Sequence, residues 1–196
     1  PVMCILLGFS IFALSIILIK LIQFWLAETH NTKKLDTIIS KLNRTNAKKL
    51  LAEIQKIKNP IARVIELVII TKNDRRFDKE SRESEISRMA SIQIRSLENY
   101  LGALEVVSNI RPLLGLFGTV LGMIKAFLNL EKAGSQIDPA LLAGGIWEAL
   151  LTTAFGLAIA ITALAAYHLF ENKISNTKDK LKDTIVRVNT LLNFRK

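Results

Sequence analysis

Two long stretches of the chain contain no charged residue, and they constrain its fold more than any other feature. Val2 to Ile19 is eighteen residues long, and Ala149 to Phe170 is twenty-two. A helix needs roughly 20 predominantly apolar residues to cross the hydrocarbon core of a bilayer. Both stretches therefore predict transmembrane helices, and they argue strongly against a freely soluble globular protein. The first transmembrane helix is predicted over residues 1–27.

The residues between Glu105 and Glu131 form a further candidate span. Arg111 and Lys125 interrupt it, which makes it the weakest of the three by hydropathy. Arg111 lies near one end of this stretch, where a long cationic side chain can reach the headgroup region.

A transmembrane hairpin is predicted over residues 105–170. A polar loop at about residues 131–139 separates its two spans. The following apolar block runs from Ala140 to Phe170 and carries Glu148 as its only charge. Because that block is longer than one span, the helix must tilt or extend beyond the bilayer.

The basic residues indicate which segments face the cytoplasm. Of the 27 Lys and Arg residues, 16 lie between Glu28 and Leu104 and 7 lie from Glu171 onward. Cytoplasmic segments of membrane proteins carry such an excess. The topology predicted is an external N-terminus, a cytoplasmic domain at residues 28–104, and a cytoplasmic tail at residues 171–196. The net charge of +10 follows from this distribution and does not indicate nucleic-acid binding.

Both cytoplasmic segments have helical periodicity, and Asn59-Pro60 is the one clear breaker in the first. An apolar stripe in the first predicts one long helix that starts outside the bilayer and enters it. A second stripe predicts an amphipathic tail helix that packs on the cytoplasmic domain. The first stripe is Ile86, Ala90, Ile94, Leu97, Leu101 and Leu104, and the second is Ile174, Leu181, Ile185, Val188 and Leu192. Lys20, Gln23 and Trp25 fit the boundary of the first span.

No catalytic or metal-binding pattern is found in the sequence. The single cysteine, Cys4, lies within the first apolar stretch, and the two histidines are far apart. There is no glycine-rich phosphate loop and no nucleophile–base set with plausible spacing. We expect neither an enzyme nor a cofactor or metal site.

Small residues recur at helical spacing on both spans of the hairpin. They form two seams that allow helices to approach closely in lipid. The seam on the second span contains Gly115, Thr119, Gly122 and Ala126, with Gly118 beside them, and that on the third contains Ala149, Thr153, Gly156, Ala160 and Ala163. Close packing alone is sufficient to explain the glycines and alanines.

Polar groups accompany the seams, namely Thr119, Thr152, Thr153 and Glu148. Each threonine can satisfy its hydroxyl within its own helix. An ionisable residue within a membrane usually faces a protein interior or water. Three spans cannot enclose a pathway, so these groups favour an oligomer that builds a lumen from several copies of the hairpin.

Two segments resemble the signature segments of the MotA/TolQ/ExbB proton-channel family, and most closely its ExbB and TolQ branch. They are RPLLGLFGTVLGMIKAF (111–127) and PALLAGGIWEALLTTAFGLAIAITALAAY (139–167). The resemblance implies an all-α bacterial inner-membrane protein with three transmembrane helices and long cytoplasmic extensions. It also implies a ring-shaped homo-oligomer, as a pentamer, with a periplasmic N-terminus and a cytoplasmic C-terminus.

The resemblance further implies a function and partners. Family members surround a single-span ExbD- or TolR-like subunit that carries a membrane aspartate, and they power a TonB-like protein. Thr119 and Thr153 match the family's lumen-lining threonines, and Glu148 matches the glutamate of its second segment. Arg111 departs from the family, which commonly has a small residue there, and a cation at that position could repel an emerging proton or bind a lipid phosphate.

Alternative functions remain open. A TolQ-type envelope-maintenance motor is the nearest one. A flagellar stator is disfavoured because stator subunits have four spans. From a different class, the chain could be a non-conducting membrane scaffold, in which Thr119, Thr153 and Glu148 would face lipid or a dry seam.

Hairpin geometry places Lys125 and Glu148 at similar depths on neighbouring antiparallel helices. They lie about 9 and 13 Å from the connecting loop at 1.5 Å per residue. Opposite charges within a membrane commonly pair. Lys125 could instead extend to the outer surface.

Overall fold

The computed structural model of the chain describes residues 2–26, 37–39, 47–57, 59–73, 77–133 and 139–193. Its long elements within these ranges are α-helices, which confirms the all-α prediction. They are α1 (Val2–Leu26), α2 (Ala47–Ile54), α3 (Pro60–Asn73), α4 (Lys79–Glu98), α5 (Leu101–Ala133) and α6 (Pro139–Asn193). Most of the predicted polar loop between α5 and α6 lies outside the described residues.

Three helical stretches of the described chain are long and apolar enough to cross a membrane. They are Val2–Leu26, Lys79–Lys132 and Leu142–Leu192. Most side chains in the most apolar part of each are exposed. Such a surface is unfavourable in water but is ordinary for helices that contact lipid. The prediction of three transmembrane helices is confirmed, whereas the orientation of the termini stays a prediction.

The chain divides into two compact units. The membrane unit comprises Pro1–Ile19 and Tyr100–Phe170, and the charged unit comprises Lys20–Asn99 and Glu171–Lys196. The helices α1 and α6 each contribute to both units, since neither is interrupted at the division.

The predicted long helix is interrupted, so this expectation was wrong at one point. The helix α4 ends at Glu98 and α5 begins at Leu101, and Tyr100 between them has a positive φ of 65°. A left-handed residue with a side chain is uncommon and ends a regular helix. The apolar stripe could not reveal this break because Leu97, Leu101 and Leu104 are all buried on either side of it.

Two side chains of α1 cap the end of α4 within the charged unit. Lys20 Nζ donates a hydrogen bond to the Leu97 carbonyl oxygen at 2.5 Å, and Gln23 Nε2 donates to the Ser96 carbonyl oxygen at 2.9 Å. The last carbonyls of a helix have no partner within it, and a cation is favoured at this end of the helix dipole. Lys20 is fully buried. The sequence had suggested that this side chain extends to the membrane boundary, but in the structure it bonds to the end of α4 instead.

The charged unit has its own apolar core. Asn59 Oδ1 accepts a hydrogen bond from the Ile61 backbone N–H at 2.9 Å and so caps α3 at the predicted breaker. The helix α3 buries most of its apolar residues, namely Ile61, Ala62, Val64, Ile65, Val68 and Ile69. The tail portion of α6 buries Ile174, Thr177, Leu181, Thr184 and Val188. The buried residues are three or four positions apart and so form one stripe along the helix. The tail is therefore amphipathic, as the sequence predicts.

Candidate ion pathway in the membrane unit

The helices α5 and α6 approach backbone to backbone at two glycines. A Cβ atom on Gly156 would lie 3.0 Å from the Gly115 Cα and 3.1 Å from the Arg111 carbonyl oxygen. A Cβ atom on Gly115 would lie 3.1 Å from the Thr153 Cα. Contacts this short with backbone atoms leave no room for a side chain, so the predicted small residues meet in a seam between the two helices.

The same seam continues towards the hairpin loop. A Cβ atom on Gly122 would lie 2.7 Å from the Ala149 Cβ, and one on Gly145 would lie 2.5 Å from the Ala126 Cβ. Gly145 was not singled out from the sequence, although it lies four residues before Ala149 and so extends the predicted seam of the third span. Ala160, which was singled out, is buried on α6.

Thr153 differs from the other predicted threonines in its hydrogen bond. Its hydroxyl donates to the Gly115 carbonyl oxygen at 2.7 Å, and this bond joins α6 to α5. Thr119 donates to the Leu116 carbonyl oxygen and Thr152 to the Ala149 carbonyl oxygen, each at 2.6 Å within its own helix. Every one of these oxygens retains acceptor capacity, so each can bind water, but none of them can titrate near neutral pH.

Thr152 and Gly118 meet face to face across the seam. A Cβ atom on Gly118 would lie 2.7 Å from Thr152 Oγ1, and Thr152 is buried. Thr119 and Thr153 are partly exposed in the single chain. The structure therefore places Thr152 within the helix contact and leaves Thr119 and Thr153 accessible at its edges. Their roles in an ion pathway stay predictions.

Lys125 and Glu148 line one cavity of about 120 Å³, together with Leu121, Ala149 and Thr152. Both charged side chains are exposed in the single chain. They are neighbours at similar depth, as the hairpin geometry implies. No ion pair joins these two described residues within one chain, so a pair between them stays a prediction.

Arg111 has a setting that the sequence did not reveal. Its side chain is fully buried, and its guanidinium carbon lies 5.8 Å from the centre of the Phe9 ring on α1. Its three guanidinium nitrogens are buried without a hydrogen-bond partner among the described residues. Phe9 lies about two turns after Val2 on α1. Val2 is beside Gly118, and Phe9 is beside Arg111, which precedes Gly118 on α5. The helix α1 therefore runs antiparallel to α5.

Comparisons with known proteins give a consistent result. The MotA/TolQ/ExbB proton channel family matches residues 41–183 of this chain. The putative biopolymer transport protein ExbB homolog of Methanothermobacter thermautotrophicus is 30% identical over 141 residues, which cover 72% of this chain and 48% of that protein. The resemblance drawn from the two signature segments is thereby confirmed.

Two further relatives represent the two branches. Biopolymer transport protein exbB1 of Vibrio cholerae is 38% identical over 116 residues, covering 59% of this chain and 51% of that protein. Tol-Pal system protein TolQ of Haemophilus influenzae is 38% identical over 100 residues, covering 51% of this chain and 43% of that protein. The chain thus spans about half the length of the relatives it matches.

Proposed function

The chain belongs to the MotA/TolQ/ExbB proton channel family, and we propose that it is the ion-conducting subunit of an inner-membrane motor. In this proposal several copies form a ring, as a pentamer, whose second and third spans line a lumen. Protons flow through the lumen and drive movement of a partner protein. The observation that carries the proposal is Thr153, whose hydroxyl bridges α6 and α5 within a family signature segment.

The residue chemistry supports a second subunit that supplies the proton-carrying group. The threonine hydroxyls can position water but cannot hold and release a proton in the physiological range. Within the apolar block of the third span, Glu148 is the only acid. An ExbD- or TolR-like subunit with a single span would bring the membrane aspartate that completes the pathway.

The energy available is sufficient for a motor. Each elementary charge that crosses the membrane releases about 2.3 kcal/mol per 100 mV of membrane potential. Coupling requires that this charge pass close to a group that can move, and a ring around a separate central helix meets that requirement. A TonB-like protein is the proposed recipient of this movement, as the resemblance of the two signature segments to the ExbB branch implies.

A TolQ-type envelope motor is the second candidate. The observation that favours it is the TolQ relative, whose identity to this chain equals that of the Vibrio cholerae protein. The two candidates share the ring, the lumen and the membrane aspartate. They differ in the partner that receives the movement.

Co-purification and ion flux together test the proposal. The chain is expressed with a candidate single-span partner, and native mass spectrometry of the solubilised complex gives the copy number of each subunit. The complex is then reconstituted into vesicles that contain a pH-sensitive dye. We expect a ring of several copies around the partner and proton uptake driven by an imposed potential. A stable monomer, or a ring that binds its partner but conducts no protons, would leave only the scaffold function.

A further inference from the structure

The buried guanidinium of Arg111 has no counter-charge in contact with it among the described residues of the membrane unit. The Phe9 ring contacts the cation without accepting its N–H groups in ordinary hydrogen bonds, and the three nitrogens have no other partner among the described residues. Arginine stays protonated under all physiological conditions. A charge held in hydrocarbon without a partner is strongly unfavourable, so such residues pair with an anion or with other polar groups.

No carboxylate of this chain lies at the depth of Arg111 within the described spans. The helix α1 has no acidic residue, and α5 has none between Glu105 and Glu131. Glu148 lies beside Gly122. Gly122 is eleven residues beyond Arg111, which is about 16 Å along α5 at 1.5 Å per residue. In a ring whose axis is normal to the membrane, neighbouring copies present the same residues at the same depth. A second copy therefore supplies no acid from the described spans at the depth of Arg111 either.

The position of Arg111 on α5 favours an anion from the membrane surface. It lies six residues after Glu105, where the apolar stretch begins, and this is about 9 Å along the helix. Helical side chains lean towards the N-terminal end of their helix, and a long arginine extends further in that direction. In the predicted orientation this is the cytoplasmic side, so the guanidinium can reach the headgroup level by rotation about its side-chain torsions.

The surroundings also suit a lipid. Ile110 and Leu113, on either side of Arg111 in the sequence, are exposed apolar residues that can contact acyl chains. The planar guanidinium presents parallel N–H groups that match two oxygens of a phosphodiester. We propose that Arg111 binds the phosphate of a phospholipid in the cytoplasmic leaflet, which supplies the counter-charge that the described residues do not. The Phe9 ring then covers the site from the side of α1.

This inference rests on the membrane placement that the proposed function assumes, but its test requires no ion flow. The chain is purified from bacterial membranes in a mild detergent, and native mass spectrometry counts the phospholipids that remain bound as collisional activation increases. The variants are Arg111→Gln, which removes the charge, and Lys132→Gln, which removes an exposed cation from the same helix. We expect wild type and Lys132→Gln to retain about one phospholipid per chain, and Arg111→Gln to retain about tenfold less.

Three results would overturn the inference. The first is equal phospholipid retention by wild type and Arg111→Gln. The second is an adduct with the mass of inorganic phosphate in place of a phospholipid. The third is no bound lipid together with loss of a co-purified polypeptide in Arg111→Gln, which would assign the counter-charge to a partner's carboxylate.

A measurement on the wild type alone covers the case in which Arg111→Gln does not insert or assemble. The thermal unfolding midpoint of the delipidated chain is determined with added phosphatidylglycerol and with added diacylglycerol of the same acyl chains. We expect the phospholipid to raise the midpoint and the diacylglycerol, which lacks the phosphate, to leave it unchanged. Equal effects of the two additions would contradict a phosphate site. Because neither readout involves conduction, loss of the phosphate site and loss of channel function are distinguishable.

Discussion

The Thr153 hydroxyl donates a 2.7 Å hydrogen bond to the carbonyl oxygen of Gly115, and this bond joins the two long helices of the membrane unit. It lies beside a close backbone approach of these helices, where Gly156 faces Gly115. The close approach is what brings the carbonyl within reach of so short a side chain. A packing seam and a polar group of the proposed pathway are therefore parts of the same contact.

Substitution of Thr153 by valine separates these two roles. Valine has nearly the same shape but lacks the hydroxyl, so the seam should close while the polar group is lost. We expect Thr153→Val to assemble normally, at a cost of about 1 kcal/mol in stability, and to lose nearly all ion flux. Thr119→Val should behave similarly, and Thr152→Val should have a milder effect because Thr152 is buried in the helix contact. Partner-dependent proton uptake into vesicles is the measurement.

Thr162 provides the matched control for this experiment. It lies on the same helix, is exposed, and donates to the Ala158 carbonyl oxygen within that helix at 2.9 Å. Thr162→Val should retain full flux. Wild-type flux in Thr153→Val would show that its hydroxyl serves only to join the helices.

The seam itself is tested by adding one methyl group. Gly156→Ala places a Cβ 3.0 Å from the Gly115 Cα, and these backbones can relieve the contact only by moving apart. Overpacking of this kind typically costs about 1–3 kcal/mol. We expect a lower thermal unfolding midpoint for the purified oligomer. Gly144→Ala on the same helix is the control, since a Cβ there meets nothing within 4 Å. An unchanged midpoint in Gly156→Ala would mean that the seam is looser than the structure describes.

The spans and seams were predictable because they depend on local sequence. Charge-free runs define the spans, and steps of three and four residues place Gly115, Gly122 and Ala149 on facing sides of the hairpin. The break at Tyr100 was not predictable in this way. Its neighbours Leu97 and Leu101 maintain the helical period, and a single left-handed residue leaves no mark in the spacing of apolar positions.

The settings of Lys20 and Arg111 depend on contacts between distant parts of the chain. From sequence, each was a long cation at the edge of an apolar stretch, for which extension towards the membrane surface is the ordinary expectation. The structure buries both. Lys20 donates to a backbone carbonyl seventy-seven residues away, whereas Arg111 contacts an aromatic ring. No pattern within either span specifies such a partner.

The cap of α4 predicts a strong effect for Lys20. Lys20→Met keeps much of the apolar stem but removes the donor to the Leu97 carbonyl, which is then left buried without this partner. Loss of a buried hydrogen bond to a charged group costs about 1.5–3 kcal/mol. We expect faster amide exchange at residues 97–101 and a lower unfolding midpoint. Lys178→Met, which changes an exposed lysine on α6, should leave both unchanged. Unaltered exchange in Lys20→Met would show that the break at Tyr100 does not depend on this cap.

The start of α4 predicts a dependence of stability on pH. Asp78 Oδ1 accepts a hydrogen bond from the Ser81 backbone N–H at 2.9 Å, and hydrogen bonding from Ser81 lowers the pKa of the Asp78 carboxyl. Because the pKa is lower in the folded state, this contribution is present above the pKa of the unfolded chain and is lost as pH falls through the folded value. Asp78→Ala should therefore lower the unfolding midpoint at pH 7, and the difference from wild type should shrink in acid. Asp78→Asn, which caps without titrating, should lack this change. A difference that is constant with pH would rule out the carboxylate as its source.

Lys125 and Glu148 line one cavity without pairing in the single chain, so a pair between them would form across a subunit interface. In a ring, the neighbouring copy brings a second Lys125 and a second Glu148 at the same depth. Opposite charges in a membrane are each costly alone, so we expect pairs across the subunit interface.

Lys125→Ala should then leave Glu148 uncompensated and reduce assembly of the ring. Glu148→Gln in the same chain should partly restore it, because the remaining charge is removed. A double-mutant cycle on oligomer stability, measured by native mass spectrometry, should give a coupling of about 0.5–3 kcal/mol. Simple additivity of the two substitutions would instead indicate that Lys125 extends to the outer surface and that Glu148 faces the lumen alone.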